Sequence, residues 1–433
     1  MFTRARWLFM PAALLAFPTL ALAADEPATI NGADTAFMLV ASALVLLMTP
    51  GLAFFYGGLV RRKNVLSVLM QCFMCMCLMT VLWVVVGYSL AFGDSMGGFV
   101  GNPMTYFLFN GVNTDPNGTI PHVLFATFQG MFAIITPALI LGAFAERMKF
   151  AGFCLFSGLW LMLCYAPVCH WAWGGGFFDG GEAGNFLMGA GQKVIDFAGG
   201  TVVHINAGIA ALVAAFILGK RQGYPEKISP PHNLPFAVLG AGLLWFGWFG
   251  FNAGSELAAD GTAAMAFFVT NLCAATAGLT WAVIEWFRGK PTVLGIISGA
   301  VAGLVAITPA CGNVDAVGAL ILGVGAGVIA YVAVAVVKEK FGYDDSLDVW
   351  GIHGMAGMWG AIAVGFLTVE GAGGEQTLIQ VKSVVATIVY TGVVSFILYK
   401  LVDLTIGLKV GDHDERVGLD LTDHAEHAYT MLD

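Results

Sequence analysis

The sequence predicts an all-α membrane protein that crosses a lipid bilayer many times. Its 433 residues are 58% hydrophobic and 11% charged, about half the charged fraction of an ordinary soluble domain. Apolar stretches of 18 or more residues recur along the chain, and each is long enough to cross the bilayer core as a helix. Lysine and arginine gather in alternate connections between these stretches, as they do in polytopic membrane proteins.

The first 23 residues have the layout of a cleaved secretory signal peptide. Arg4 and Arg6 precede an apolar run that ends in Ala21-Leu22-Ala23, and polar residues follow. The alternative is a first membrane span that stays attached. An export signal also indicates a bacterial inner membrane.

Apolar runs between polar breaks then predict eleven transmembrane helices. They cover residues 36–60, 65–92, 122–145, 150–169, 197–219, 234–254, 262–287, 292–309, 315–337, 346–369 and 381–402. An odd number of crossings places the two ends of the mature chain on opposite sides. Because an exported signal leaves the new N-terminus outside, we expect the C-terminus in the cytoplasm.

The basic residues test this topology independently, because lysine and arginine favour cytoplasmic loops. Only Lys193 and Lys382 lie on the side that the topology places outside. The fifteen on the inner side are Arg61, Arg62, Lys63, Arg147, Lys149, Lys220, Arg221, Lys227, Arg288, Lys290, Lys338, Lys340, Lys400, Lys409 and Arg416. This bias supports the whole arrangement.

The eight cysteines mostly lie within apolar runs, without the spacings of a zinc site or a disulfide framework. Cys72, Cys75 and Cys77 are close enough to resemble a metal cluster, but they lie in the middle of a predicted span. Packing as small buried side chains is the favoured interpretation. We therefore expect no metal site and no cofactor.

A short duplication relates the two halves of the chain. His204 opens His-Ile-Asn-Ala-Gly in span five, and His353 opens His-Gly-Met-Ala-Gly in span ten. Asp196 and Asp345 each lie eight residues before their histidine. Since five spans separate the copies, the pattern predicts two inverted repeats of five helices plus one extra helix, a plan common among transporters.

The same spacing places both histidines near the middle of the membrane. Eight helical residues rise about 12 Å, so His204 and His353 approach the centre of a core about 30 Å thick from opposite faces. Three interpretations are open: core histidines bonded to neighbouring helices, metal ligands, or a pore-lining pair that shares one proton. Their matching depth favours the pore pair.

Acidic residues precede both histidine spans. Capping of the helix N-terminus is the favoured interpretation for Asp196, Asp345 and Asp348. Direct attraction of a cationic solute is the alternative.

Aromatic residues gather at the outer ends of spans three, four and six. They are Phe128, Phe132, Trp173 and Phe251, and Ser255 lies close to the last of them. Interfacial aromatic belts explain most such residues. This group can instead form a cage that binds a small cation by cation–π attraction, with the Ser255 hydroxyl accepting a hydrogen bond.

At these residues the sequence resembles the ammonium transporter (Amt) branch of the ammonium transporter and Rhesus protein family. The resemblance runs from Pro50–Gly58 through Asp196–His204 to Gly418–Asp420, and it covers nearly the whole mature chain. Several motifs of this length in the same order are highly specific.

The resemblance implies an outer ammonium site at Phe132, Trp173 and Ser255, with Phe128 nearby. Asp196 matches the acidic residue that stabilises this site indirectly. Trp173 and Ser255 are typical of the Amt branch and not of Rhesus proteins.

Deeper in the membrane, the resemblance implies that Phe132 and Phe251 close the pore as stacked rings and that His204 and His353 are twin pore histidines. It also implies a homotrimer with one pore per subunit, regulated by a PII-type signalling protein at the cytoplasmic pore mouths. We thus expect a signal peptide (1–23), a transmembrane transport domain (24–402) and a cytoplasmic regulatory tail (403–433).

The expected function is passage of ammonium or ammonia, and of methylammonium, through a hydrophobic pore. The cation would be recruited at the aromatic site, deprotonated at the phenylalanine pair and passed by the histidines. The alternative is a receptor that reports ammonium with little net flux. An enzyme is not expected, because no nucleophile has an adjacent base and the outer loops are short; nor is a nucleic-acid partner.

Overall fold

The computed structural model describes residues 29–181, 184, 187–189, 191–227 and 230–429. The expected signal peptide (1–23) lies outside the described residues. Within them the chain is mostly helical, and ten helices are long and apolar enough to cross a membrane. An all-α membrane protein is therefore what the sequence folds into.

We number the helices in chain order. They are α1 (Gly32–Leu59), α2 (Arg62–Phe92), α3 (His122–Phe144), α4 (Phe150–Trp173), α5 (Gly200–Leu218), α6 (Leu234–Glu256), α7 (Gly261–Arg288), α8 (Val293–Ile307), α9 (Ala316–Phe341), α10 (Trp350–Leu367), α11 (Gly374–Thr405), α12 (Asp412–Val417) and α13 (Leu419–His424). Helix α8 has 15 residues and is shorter than the ten spanning helices. The count of eleven spans and their orientation stay predictions.

Each predicted span corresponds to a helix, and the bounds agree to within four residues except at the start of α11. Helix α10 begins at Trp350, because Asp348 has a left-handed backbone (φ 62°) that ends any helical turn before it. Helix α11 begins seven residues earlier than predicted, at Gly374. The first turns of α11 are polar, and the Gln380 side chain there hydrogen-bonds to the backbone of Ile195. A search for apolar runs therefore misses them.

π-helical turns interrupt five of the described helices, and periodicity alone did not predict them. In α2, α4 and α9 they lie within the helix. In α5 and α10 the helix opens with one, at Gly200–Ile205 and Trp350–Met355. These two turns carry His204 and His353, and such bulges are frequent at functional sites.

Carboxylates bind the exposed N–H groups at both of these openings. The Asp196 carboxylate accepts hydrogen bonds from the N–H groups of Gly199 (3.2 Å), Thr201 (3.0 Å) and Val202 (3.2 Å). Asp345 accepts one from Trp350 N–H at 2.7 Å. Asp348 instead pairs with Lys338 at 2.6 Å.

Small residues let the helices approach closely, as is usual in membrane bundles. A Cβ atom added at Gly240 of α6 would lie 2.1 Å from the backbone nitrogen of Phe55 in α1. One added at Gly208 of α5 would lie 2.4 Å from the Cα of Gly354 in α10. The second contact fixes how near the two histidine-bearing helices come.

At one end of the bundle, two short hairpins connect α2 to α3. Strands β1 (Ser95–Met96) and β2 (Val100–Gly101) pair antiparallel, as do β3 (Pro116–Asn117) and β4 (Ile120–Pro121). The vestibule described below opens at this end.

The opposite end of the bundle is held by a buried ionic network around Glu146, in the α3–α4 connection. Its carboxylate accepts bonds from Arg61 Nε (2.8 Å), Asn64 Nδ2 (2.9 Å) and Arg221 Nη1 (3.0 Å). Arg221 also makes a bidentate pair with Asp344. Four helix connections therefore meet at this end, as the distribution of basic residues predicts.

The tail packs against the same end. Glu415 accepts a bond from the backbone N–H of Gln222 at 2.6 Å, and Asn64 accepts one from Leu419 N–H at 2.8 Å. Asp420 accepts one from Ser67 N–H at 2.9 Å. The tail is thus tied to the start of α2 and to the α5–α6 connection.

Removal of the Glu146 carboxylate should destabilise the protein strongly. Glu146→Ala leaves the mostly buried Arg61 without its carboxylate partner and Arg221 with Asp344 alone, which costs about 3–5 kcal/mol. Asp179→Ala, which breaks the exposed pair with Lys193, is the control and should cost no more than about 1 kcal/mol. Thermal unfolding in detergent measures both, and equal midpoints would contradict a structural role for the network.

The pH dependence of that difference has a defined sign. Burial alone would raise the pKa of Glu146, but Arg61 and Arg221 outweigh it and hold the pKa below its usual range. The ionised Glu146 carboxylate, bound to Arg61 and Arg221, therefore stabilises the fold fully above the unfolded pKa of about 4.3. This stabilisation is lost as pH falls through the lowered pKa of the folded state. Wild-type and Glu146→Ala midpoints should converge only in acid.

Candidate functional site

A vestibule of about 890 Å³ opens on the hairpin end of the bundle. Phe132, Trp173, Ser255 and Asp196 all line it. Phe132 and Ser255 are more than 120 positions apart in the sequence, and α3, α4, α6 and the segment before α5 bring the four residues together. Three members of the cluster predicted from the sequence, Phe132, Trp173 and Ser255, therefore share one cavity with access to water.

Aromatic rings form the floor of the vestibule. The Phe132 ring lies 6.0 Å from the Trp173 ring, nearly perpendicular at 80°. Below it, the centroids of Phe132 and Phe251 are 4.4 Å apart and their planes are inclined by 44°. The two phenylalanines are thus tilted against each other rather than parallel, and both side chains are fully buried.

The polar atoms around these rings leave acceptors free for a cation. Trp173 Nε1 donates to the backbone oxygen of Asp196 at 2.9 Å, so the indole is held in place. The Ser255 hydroxyl donates to the Phe251 carbonyl at 2.9 Å. A hydroxyl that donates in this direction keeps its lone pairs available, and it can accept a hydrogen bond from an N–H cation.

Asp196 supplies the buried acidic group of the vestibule. Burial raises its pKa to about 6, although the N–H groups of Val202 and Thr201 favour the charged form. The carboxylate is therefore ionised at neutral pH. It both caps α5 and places negative charge close to the vestibule, so the two sequence-based interpretations of Asp196 are compatible.

The two histidines meet beneath the phenylalanine pair. Their Nδ1 atoms lie 3.2 Å apart and the rings are inclined by 21°. Because one Nδ1 must donate and the other accept, the rings can share a proton along this contact. Among the described residues, His204 Nε2 has no hydrogen-bond partner, and it is buried.

A narrow apolar chamber contains this pair. His204 and His353 line it together with Phe251 and aliphatic side chains of α1, α3, α6 and α8. Trp248 stacks on His204 with centroids 5.3 Å apart, and its Nε1 donates to Thr308 Oγ1 at 2.9 Å. The imidazoles thus face a common chamber and are not packed away from it.

The residues of α3 that line the vestibule are not all those of the predicted aromatic cluster. Phe128 is buried behind Phe132, with ring centroids 5.0 Å apart, and does not line the cavity. Phe125 and Gln129 line it instead. Helical spacing from Phe132 does not separate them from Phe128, because residues three, four and seven positions earlier all share its face.

The cysteines lie outside this site. Cys72 and Cys75 pack in the hydrophobic core, whereas Cys77 is exposed on the outer surface of α2. Among the residues that the structure describes, no three His, Cys, Asp or Glu side chains are grouped as a metal site would require. The histidine pair therefore has no third ligand nearby within this part of the chain.

Comparison with known proteins identifies a family and several relatives. The family model described as Ammonium Transporter Family matches residues 36–429. The chain is 46% identical to an ammonium transporter of Aquifex aeolicus over 437 residues, covering 98% of this chain and 99% of the relative.

Solved structures of similar proteins also superpose on the chain. Mep2 of Saccharomyces cerevisiae superposes with a TM-score of 0.81 at 34% identity, covering 89% of each chain. A structure described as a sensor Amt protein superposes with a TM-score of 0.82 at 28% identity, covering 90% of this chain and 98% of that one.

The contact between Gly208 and Gly354 should set the distance between the imidazoles. In Gly208→Ala the added methyl carbon would lie 2.4 Å from the Cα of Gly354, so α5 and α10 must separate. This should lower the free energy of unfolding by about 1–3 kcal/mol. Nitrogen-15 NMR of histidine-labelled protein in lipid should then show loss of the Nδ1–Nδ1 hydrogen bond.

Gly242→Ala is the matched control, because a Cβ there meets no other atom of the described part of the chain within 4 Å. It should leave the histidine signals unchanged. A Gly208→Ala spectrum identical to that of the wild type would mean that the glycine contact does not position the rings.

Proposed function

The chain belongs to the ammonium transporter family, and on that premise we propose that it transports ammonium or ammonia, and methylammonium, across the bacterial inner membrane. The family consists of transporters and channels, which are not enzymes. The observation that carries the proposal is the histidine pair inside an apolar chamber, directly beneath an aromatic vestibule.

The first step is recruitment of the cation. Trp173 and Phe132 offer aromatic faces to ammonium, and Ser255 accepts one of its N–H bonds. The ionised Asp196 adds attraction through the field at the vestibule. This site distinguishes ammonium from potassium only weakly, because the attraction to the rings and to Asp196 depends on charge and both ions carry the same charge. The four N–H donors of ammonium add little to that discrimination.

Selection occurs at the second step, below Phe132 and Phe251. A bare cation loses its water there and gains little in return, at a cost of several kcal/mol or more. Ammonium can leave a proton behind and cross as neutral ammonia, whereas potassium cannot. The proton travels separately along His204 and His353, whose Nδ1 atoms are in hydrogen-bond contact.

A second candidate function is an ammonium receptor with little net flux. The similarity to a solved sensor Amt protein favours considering it. The closed phenylalanine pair is compatible with both functions, but a receptor has no use for a proton path beyond its binding site. The histidine pair therefore favours transport.

We also propose a homotrimer with one pore in each subunit, regulated by a PII-type protein at the cytoplasmic face. Family membership supports both. The docked tail, with α12 and α13 bonded to the α5–α6 connection and to α2, supports a regulatory role for residues 403–433. In this arrangement the N-terminus lies outside and the tail in the cytoplasm.

The decisive experiment replaces both histidines with alanine. In proteoliposomes, His204→Ala/His353→Ala should change ammonium currents at least tenfold or let potassium compete, because the proton path is lost. Ser255→Ala is the contrasting variant: it should weaken apparent affinity about fivefold, the value of one hydrogen bond, and leave potassium excluded.

Two results would contradict the proposal. Absence of ammonium or methylammonium flux through the wild-type protein would favour the receptor. Unchanged currents and selectivity in the double histidine variant would remove the histidine pair from the transport path.

Recruitment should depend on pH through Asp196. With its pKa raised to about 6, the carboxylate is charged above that pH and neutral below it, while ammonium keeps its charge throughout. At subsaturating ammonium, the initial uptake rate should fall several-fold as external pH drops from 7 to 5. Asp196→Asn should give a low rate without this step, and a similar step in both proteins would assign it to another group.

A further inference from the structure

The wall of the vestibule contains a buried polar side chain that the recruitment step above does not use. Gln129 of α3 lines the cavity together with Phe132, Trp173 and Ser255, although only 8% of the residue is exposed. Among the described residues its Oε1 has no hydrogen-bond partner. A buried acceptor without a partner costs free energy, so such an atom beside a cavity points to a ligand that bonds it there.

The position of Gln129 on α3 suits a group that meets the cation. Helix α3 begins at His122, directly after the second hairpin, so Gln129 lies about 4.5 Å further out along the axis than Phe132. Residues three apart share a helix face, and helical side chains lean towards the N-terminus. The amide therefore lies on the vestibule side of the Phe132 ring, where a cation above that ring would bind.

Trp83 of α2 fixes the orientation of α3 at this turn. Its Nε1 donates to the backbone oxygen of Ala126 at 2.9 Å. A Cβ added at Gly130 would lie 2.9 Å from Trp83 Cδ1, so the indole packs directly on the helix backbone. Because α3 cannot rotate about its axis here without losing both contacts, Gln129 is held towards the cavity.

A buried amide elsewhere in the bundle shows the usual arrangement. The Gln380 side chain accepts from Ile195 N–H at 2.8 Å and donates to the carbonyls of Ile195 (2.8 Å) and Ala361 (2.7 Å). Gln71 of α2 also has an Oε1 without a partner among the described residues, but it lies outside the vestibule lining. Gln129 combines a free acceptor with a place in the vestibule wall.

We propose that the Gln129 side-chain oxygen accepts a hydrogen bond from ammonium in the vestibule, and that this second acceptor beside Ser255 makes the site prefer ammonium to methylammonium. The inference rests on the proposed recruitment of the cation at Phe132, Trp173 and Ser255. No hydrogen bond from a described residue holds the amide through its oxygen, so the amide can turn about its last bond and present that oxygen to the cavity.

The preference follows from the number of N–H groups on each cation. Ammonium is tetrahedral with an N–H at every corner, so it can bond both acceptors in any orientation above the rings. Methylammonium has one methyl corner, which must point away from both acceptors. It therefore has fewer bound orientations, and it gains less from the Gln129 oxygen.

The test is equilibrium binding to the full-length protein in detergent, by displacement of radiolabelled methylammonium with ammonium. Gln129→Leu should weaken ammonium binding about fivefold, the value of one hydrogen bond. It should weaken methylammonium binding less than about twofold, because the methyl group can face the new apolar side chain. Equal losses for the two cations would indicate a distorted cavity and overturn the proposal, as would unchanged binding of both.

Gln129→Glu separates loss of the acceptor from loss of the side chain. A carboxyl group of similar shape keeps an acceptor oxygen in either protonation state, so this variant should bind ammonium about fivefold more tightly than Gln129→Leu. Equally weak ammonium binding in the two variants would show that the oxygen is not the group that matters.

Gln71→Leu is the matched control, because it removes a buried amide with an unpartnered oxygen outside the vestibule. It should change neither affinity, and a shift in preference equal to that of Gln129→Leu would overturn the proposal. Binding needs no flux, so the two proposals fail separately. Wild-type protein without flux would refute transport and leave the Gln129 result standing, whereas unchanged binding in Gln129→Leu would refute this inference alone.

Discussion

Charge is costly inside a dehydrated passage, and the arrangement of the site follows from that cost. The chamber beneath Phe132 and Phe251 is lined by aliphatic and aromatic side chains, and its exceptions are two imidazoles. An ion that keeps its charge loses its hydration free energy there, whereas ammonium that gives up a proton crosses as a neutral molecule and avoids most of that loss. The polar groups that we propose to recognise a cation accordingly lie outside this stretch, at Ser255 and near Asp196.

The close imidazole contact depends on how α5 and α10 cross. Gly208 and Gly354 let their backbones touch, and each helix opens with a π turn that carries its histidine. A buried carboxylate binds the first N–H groups of both turns. The starts of α5 and α10 therefore have the same local structure. This similarity is expected of an inverted repeat whose binding site lies between the two halves.

Much of this was predictable from the sequence because lipid constrains it strongly. A chain in a bilayer must satisfy its backbone within helices, so apolar runs locate α1 to α11 to within a few residues at most ends. The repeated spacing of aspartate and histidine indicates the pairing of His204 with His353 before any contact is known. The positions of Phe132, Trp173 and Ser255 at the outer ends of their predicted spans indicate their grouping, and the family resemblance assigns them to one site.

The remaining features depend on three-dimensional packing. The π turns leave no signature in hydropathy, and the polar start of α11 serves a bond to Ile195 that no apolar run reveals. Phe128 and Phe125 differ by less than one turn of α3, and only its orientation shows that Phe125 faces the vestibule. Glu146 and its two arginines come from three separate connections, so their network becomes visible only when the bundle closes.

The central claim is that ammonium loses a proton before it crosses the chamber. Currents driven by ammonium through the purified protein in a bilayer, measured in H₂O and in D₂O, test it most directly. Deprotonation predicts that D₂O slows this current more than it slows potassium current through an ordinary cation channel in the same bilayer, because proton transfer then limits the rate. Equal slowing of both currents would mean that the intact cation passes, and would contradict the claim.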